Sequence, residues 1–171
     1  NKIDINNIYS INRAGDNSTT EGGVSVAYGS DYSIFDKEKS SEIFNFKVAN
    51  NFRFEKNDDL PRKNQIGEKT SNIFSEITFN PNEFFTTNYN SSMRNNLSDT
   101  NYENLITEFR VNNFVTTFDY LNENNTNAKN SYIQNKSTYS LDDNNSLSFS
   151  TRKNKSTNLT EYYNFMYQYK N

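Results

Sequence analysis

The chain has 171 residues, enough for one domain, and a net charge of −3 with lysine and arginine scattered along it. It contains no cysteine and no histidine, which excludes thiol and imidazole metal sites and any catalytic triad that needs either residue. The basic residues form no stripe, so we expect no nucleic-acid partner, and no apolar run approaches the roughly 20 residues of a membrane-spanning helix.

A mean hydropathy of −1.01 favours disorder at first sight, but 15% of the residues are aromatic and only 5 are glycine and 2 proline. Disordered chains are usually poor in aromatic residues. Strands with one apolar and one polar face combine many aromatic residues with a low mean hydropathy, because half of every strand stays polar.

The first two predicted strands show this alternation most clearly. The first runs from Val24 to Ile34 and has a small or polar opposite face. The second places five apolar residues on one face, which we predict to contact lipid: Phe44, Phe46, Val48, Phe52 and Phe54. Its other face is polar, and we predict that it faces a lumen: Asn45, Lys47, Asn51 and Arg53.

Weaker alternation continues to Tyr169 and predicts about nine strands. The connections after the odd-numbered strands are short, as at Asn80–Asn82 and Asn112–Asn113. Those after the even-numbered strands are mostly longer and more polar, as at Glu55–Thr70 and Asn122–Lys129. Alternating short turns and long loops are typical of outer-membrane barrels, so we expect Glu55–Thr70 to be the longest external loop and a mobile one.

The predicted fold class is therefore all-β, an antiparallel transmembrane β-barrel segment of about nine strands that is part of a larger barrel. Residues 1–20 are expected to form an external loop, and the strands to run from about 21 to 170. An odd strand number and two open edges both indicate a fragment, since single-chain bacterial barrels close with an even number. Asn1 is not an initiator methionine, so the chain is read as an internal or processed piece.

Several groups of polar residues are candidate sites of chemistry. The acidic pairs Asp58-Asp59 and Asp142-Asp143 could hold Ca²⁺, but aspartate favours turns in any case. Glu76, Glu108 and Arg110 fit a salt-bridged barrel interior better than a catalytic pair. The tyrosine-rich stretch 162–169 fits an interfacial girdle better than a base-stacking platform. No catalytic, cofactor or metal site is predicted, and the chain is not expected to be an enzyme.

One stretch resembles a known family. Asn12-Arg13-Ala14-Gly15-Asp16, then Glu21-Gly22-Gly23, then Ala27-Tyr28-Gly29, is similar to the C-terminal barrel region of the LptD family of LPS-assembly proteins. That family has an Asn-Arg-Phe-x-Gly-x-Asp loop followed by Glu-Gly-Gly and a strand with Tyr-Gly. The stretch from Ser71 to Phe84 resembles its next hairpin, and the order of the later hairpins agrees. The resemblance marks seven motif residues: Asn12, Arg13, Gly15, Asp16, Glu21, Gly22 and Gly23.

The resemblance implies a barrel in the bacterial outer membrane that inserts lipopolysaccharide into the outer leaflet. It also implies a plug lipoprotein, LptE, and the periplasmic Lpt bridge components as partners. Ala14 stands where the family has phenylalanine, and the cysteines that the family often carries are missing. Two alternatives stay open: another outer-membrane barrel such as a porin or receptor, and a soluble β-sheet binding module whose apolar face packs against a second sheet.

Overall fold

The structure is a computed structural model that describes residues 3–11, 13, 21–60, 62–125 and 128–170. Nine strands lie in one antiparallel sheet and are ordered as they occur in the chain. They are β1 (Ser25–Phe35), β2 (Glu42–Arg53), β3 (Ile73–Asn82), β4 (Phe85–Met93), β5 (Thr100–Val111), β6 (Phe114–Asn125), β7 (Ala128–Ser140), β8 (Asn145–Asn154) and β9 (Leu159–Tyr169). The predicted all-β class and the nine antiparallel strands are confirmed, while barrel closure and membrane insertion stay predictions.

Two predicted connections are wrong in their bounds. The ladder between β6 and β7 continues to the pair Asn125 and Ala128, so most of the loop predicted at Asn122–Lys129 is strand. Polar side chains at an exposed strand end do not interrupt backbone pairing, and this hid the strand in the sequence. β3 likewise continues past Pro81 to Asn82, where a register shift accommodates a residue that cannot donate a backbone hydrogen bond.

The sheet has two chemically distinct faces, set by the cross-strand register. Residues directly opposite each other share a face, so the pairs Phe44–Phe79 and Phe46–Ile77 place apolar side chains together. We call this side the aromatic face. The pairs Asn45–Thr78 and Lys47–Glu76 lie on the opposite side, which we call the polar face. The same phase persists to β9, where Phe149 is opposite Phe165 and Ser150 is opposite Asn164.

The buried core lies on the polar face of the first three strands. Its members come from the N-terminal segment, from the β2–β3 connection and from the sheet itself: Ile3, Ile5, Ile8, Ala49, Leu60, Ile66 and Phe74. We call the described residues of 3–13 and 54–72 the cap. Burying each isoleucine or leucine contributes about 1.5–3 kcal/mol to folding, so the cap is a packed structure.

Two segments predicted to be external loops have described residues that pack against the sheet as parts of the cap. The β2–β3 connection is the longest described one, but it is packed against the sheet and contains a short 3-10 helix at Arg62–Asn64. Among residues 1–20, those at 3–11 and 13 are described, and three isoleucines there are buried. Residues 1, 2, 12 and 14–20 lie outside the described part of the chain. The part of the predicted external loop that is described therefore lies on the sheet.

Candidate functional site

The candidate site is the polar face of β1 and β2 where the cap covers it. Small side chains make room for the cap here: Ala27 and Ala49 contact the buried isoleucines and Phe74. Gly29 lies directly under Tyr9, because a Cβ atom at position 29 would collide with the Tyr9 hydroxyl and with the Val48 carbonyl oxygen. A glycine is therefore needed where the cap and the strand backbone approach each other this closely.

A buried ion cluster joins the cap to the sheet. The Glu21 carboxylate accepts hydrogen bonds from both Arg13 and Arg53, with Arg13 Nε at 2.9 Å and Arg53 Nη2 at 2.5 Å. Arg53 is only 1% exposed. Two guanidinium groups and one carboxylate leave one excess positive charge, which requires compensation by neighbouring dipoles in a buried place.

Oxygen atoms around the cluster supply that compensation. Arg13 donates to Asn51 Oδ1 at 2.6 Å and to Ser25 Oγ at 2.9 Å. Arg53 donates to the backbone carbonyls of Gly22 at 2.6 Å and Ile66 at 3.3 Å. The cluster thus ties together the N-terminal segment, the entry to β1, the end of β2 and the β2–β3 connection. Removing Glu21 would leave two buried positive charges without the carboxylate that they share.

Gly23 shapes the backbone at this point. Its φ of +85° lies in the left-handed region, and a Cβ atom there would be 3.0 Å from Arg53 Nη1. A side chain at position 23 would therefore be strained and would also press on the guanidinium group. The adjacent Gly22 has nothing within 4 Å of the equivalent position, so its contribution is its carbonyl oxygen.

The cap reaches beyond β3 through one polar anchor. Lys63 forms an ion pair with Glu123 on β6, and its carbonyl oxygen accepts a hydrogen bond from Asn101 Nδ2 at 2.7 Å. Lys56, on the outer surface of the cap, donates to Asp58 and Glu68, and these hydrogen bonds raise its pKa above the ordinary value. The β2–β3 connection therefore lies across the polar face as far as β5 and β6.

Buried amides complete the contact between the cap and the sheet. The Asn51 backbone N–H donates to Ser71 Oγ at 2.9 Å, and Asn72 Nδ2 donates to Ser92 Oγ at 2.9 Å. Asn51 Nδ2 and Asn72 Oδ1 are buried without a hydrogen-bond partner among the described residues. The two bonds join the end of the β2–β3 connection to β2 and to β4.

The structure separates the residues predicted to face lipid from those predicted to face a lumen. The register places Phe44, Phe46, Val48 and Phe52 on the aromatic face, and Phe54 stacks edge-on against Phe52 at 5.5 Å. It places Asn45, Lys47, Asn51 and Arg53 on the polar face. Asn45, Asn51 and Arg53 are buried rather than exposed, with Asn45 donating to Asp31 Oδ1 at 2.6 Å. Contact with lipid or with a lumen stays a prediction for both sets.

Only some of the seven motif residues belong to the described part of the chain. Arg13, Glu21, Gly22 and Gly23 meet in the ion cluster, whereas Asn12, Gly15 and Asp16 lie outside the described residues. Sequence reasoning missed the apolar half of the cap, which consists of Ile3, Ile5, Ile8, Leu60 and Ile66. The close spacing of three isoleucines at the N-terminus was a usable signal that this segment packs against something.

Several of the acidic residues considered as candidate sites have structural partners. Glu76 pairs with Lys47 at 3.7 Å, and Glu108 with Arg110 at 2.8 Å. Asp142 accepts the backbone N–H groups of Asn144 and Asn145 in the β7–β8 turn. Within the described ranges, no three acidic, histidine or cysteine residues are arranged to hold a metal ion. The described residues also contain no helix of the length and apolar character needed to cross a membrane.

The ion cluster is buried and its charged groups bond within the protein, so its contribution is to hold the cap on the sheet. A search of curated proteins finds no match to this chain. The model of one protein family, described as "LptD: LPS transport system D", matches residues 1–152. LptD proteins are components of the outer membrane and act in the transport and assembly of lipopolysaccharide. Since the match spans most of the 171 residues, the chain belongs to the LptD family.

Proposed function

We propose that this chain is the C-terminal part of an outer-membrane β-barrel that passes lipopolysaccharide to the outer leaflet by binding and shape, with no bond chemistry. One observation carries the membrane assignment: the aromatic face leaves large apolar side chains exposed over the whole sheet. Phe109, Phe118 and Phe149 are each about two-fifths exposed. A face of this kind needs an apolar surrounding, and lipid provides one.

The soluble module and the porin or receptor each leave one of the observations unexplained. A soluble module would bury the aromatic face against a second sheet, but all nine described strands lie in a single sheet. A porin or receptor would account for the aromatic face equally well. It would not account for the family match over residues 1–152.

The polar face is the proposed lumen side. On β5 to β8, this face carries polar side chains that hydrogen-bond to one another, such as Asn104 Nδ2 donating to Asp119 Oδ1 at 2.7 Å. We propose that this part contacts the plug lipoprotein LptE and that the periplasmic Lpt bridge delivers the lipid. The end of the sheet that carries the β2–β3 and β8–β9 connections is proposed to face the cell exterior.

Cysteine accessibility in the full-length protein tests the orientation of the two faces. The 171 residues contain no cysteine, so Phe149→Cys and Ser150→Cys report on adjacent positions of β8 that point to opposite faces. In the membrane, we expect a lipid-soluble maleimide to label position 149 and a water-soluble maleimide to label position 150. The unsubstituted protein sets the background. Water-soluble labelling of both positions at equal rates would contradict the barrel.

Depletion of the full-length protein tests the transport step. We expect newly made lipopolysaccharide to disappear from the cell surface, detected with an antibody on intact cells, and to return when the protein is expressed again. Normal surface lipopolysaccharide after complete depletion would overturn the proposed function while leaving the membrane orientation intact.

A further inference from the structure

Three lysines lie together on the aromatic face where β7 begins and β8 ends. Lys153 on β8 is opposite Ile133, and Lys155, the first residue after β8, donates its backbone N–H to the Ser131 carbonyl at 2.7 Å. Lys129 is two residues from Ser131 on β7 and shares its face. Residues two apart on a strand are separated by about 6.6 Å, and diagonal neighbours by about 7–8 Å, so the three ammonium groups can reach one ligand. We call them the lysine patch.

The lysine patch is not neutralised by the protein. All three side chains are exposed, and none is paired with an acidic residue among the described residues. Two acidic residues towards this end of the sheet have other partners. Glu161 is held by Arg152 at 2.8 Å, and Glu103 accepts hydrogen bonds from Tyr89, Tyr120 and Asn122 on other strands. The patch therefore offers three positive charges to a ligand.

Apolar side chains begin directly below the patch. Lys155 Nζ lies 4.8 Å above the centre of the Tyr120 ring, and Tyr120 is opposite Ile133 on the next strand. Further along the same face come Phe118, Phe149 and Tyr163. Positive charge above an apolar band is complementary to an anionic head group above acyl chains.

We propose that the lysine patch is a binding site for the phosphate groups of a lipopolysaccharide molecule in the outer leaflet, with its acyl chains against the aromatic band. The inference rests on the proposed function, because it needs this end of the sheet to face the outer leaflet. It adds a fixed lipid on the outer surface of the sheet, separate from the lipid in transit. Lipopolysaccharide suits the patch because its lipid A moiety carries two phosphates, and three clustered lysines match that charge.

The test measures binding of lipid A by the full-length protein in detergent, with bound molecules counted by native mass spectrometry. The probe is bisphosphorylated lipid A, compared with the same lipid after removal of both phosphates. For the variant K129Q/K153Q/K155Q, we expect the dissociation constant of the bisphosphorylated lipid at the patch to rise about a hundredfold, given about fivefold for each of the three lysines. The phosphate-free lipid should bind wild type and variant equally.

Two matched variants control for charge and folding. K37Q/K39Q/K170Q removes three exposed lysines at the opposite end of the strands and should bind like wild type. K129R/K153R/K155R keeps the charge and should also bind like wild type.

Three results would overturn the inference: unchanged binding by the glutamine variant of the patch, equal loss in the control at the opposite end, or displacement of lipid A by an equal amount of phosphatidylglycerol. Surface lipopolysaccharide should remain normal in cells that carry the glutamine variant of the patch. Failure of wild-type protein to export lipopolysaccharide at all would instead refute the proposed function.

Discussion

The first three and the last three strands carry the same alternation of polar and apolar residues, yet their polar faces have different surroundings. On β2 the cap buries Asn51 and Arg53, which are 0% and 1% exposed. On β9 every residue is exposed, on both faces. Side-chain size on the polar face differs between the two regions in the same sense. Ala27, Gly29 and Ala49 leave space for the cap, whereas β7 and β8 carry Gln134, Lys136 and Arg152 at the corresponding positions.

The comparison shows that polarity and coverage are separate properties of a strand face. Alternation decides which side chains share a face, but the volume of those side chains decides whether another segment can pack on it. Small residues under buried isoleucines make the polar face of β1 and β2 part of a core. The larger polar residues of β7 and β8 form contacts within the sheet, such as Tyr132 with Asp119.

The largest expected effect comes from opening the capped region. Glu21→Ala leaves Arg13 and Arg53 buried without their shared carboxylate, which should cost about 3–5 kcal/mol of unfolding free energy. Urea unfolding of the full-length protein in detergent measures it. Trypsin should also cut faster after Lys63 and Lys69, because the cap would open.

Asp99→Ala is the matched control for the ion cluster. It breaks the exposed pair of Arg94 and Asp99, whose atoms are 3.7 Å apart, and should change the unfolding free energy by less than about 1 kcal/mol. Equal losses of unfolding free energy in Glu21→Ala and Asp99→Ala would mean that the cap contributes no more to stability than a surface turn does.

A second prediction compares the two faces within one strand. Phe118 and Thr117 are neighbours on β6 that point to opposite faces. Phe118→Arg should cost about 2–4 kcal/mol if the aromatic face contacts the middle of a bilayer, and Thr117→Arg should cost less than about 1 kcal/mol. Refolding and unfolding in lipid vesicles measures both variants. A larger cost at Thr117 would reverse the proposed assignment of the faces.

Most of the sheet could be predicted from the sequence, because alternation depends only on neighbouring residues. Phe44 to Phe54 show period two that is interrupted only at Asn50, and the register keeps that phase from β1 to β9. The ends of the strands were harder to predict from the sequence. Polar residues such as Asn124 and Lys129 pair across β6 and β7 through their backbones, which leaves no pattern in the side chains.

The cap could not be predicted in the same way, because it depends on contacts between residues far apart in the chain. Arg13 bonds Asn51, and Lys63 bonds Glu123, at separations of 38 and 60 residues. Charge density made residues 55–70 resemble a solvated loop, although Leu60 and Ile66 are buried there. The motif residues Arg13, Glu21 and Gly23 pointed to the place, but the resemblance alone did not indicate that they form an ion cluster.

A third prediction tests whether side-chain volume under the cap matters. Gly29→Ala places a methyl group against the Tyr9 hydroxyl and the Val48 carbonyl, which should cost about 1–3 kcal/mol through overpacking. Gly22→Ala adds the same group where nothing lies within 4 Å, so the unfolding free energy should stay within about 0.5 kcal/mol. Urea unfolding measures the unfolding free energy of both variants. If Gly29→Ala were also neutral, the cap would adjust its position easily, and small residues would not explain why it packs on β1.

The smallest expected effect lies in the β7–β8 turn, far from the cap. The backbone N–H of Asn144 and the side chain and backbone of Asn145 hold the pKa of Asp142 below its ordinary value of 3.8. Because the folded pKa is lowered, the turn gains stability from the ionised carboxylate above pH 3.8 and loses it as the pH falls through the folded pKa. Carboxyl ¹³C NMR of the full-length protein labelled at aspartate should show this resonance titrating below pH 3.8. In Asp142→Asn the resonance should disappear, and cleavage of the turn by pepsin, relative to cleavage of a free peptide substrate at the same pH, should no longer accelerate between pH 4 and pH 2. A midpoint at or above 3.8 would mean that the turn does not hold its carboxylate in solution.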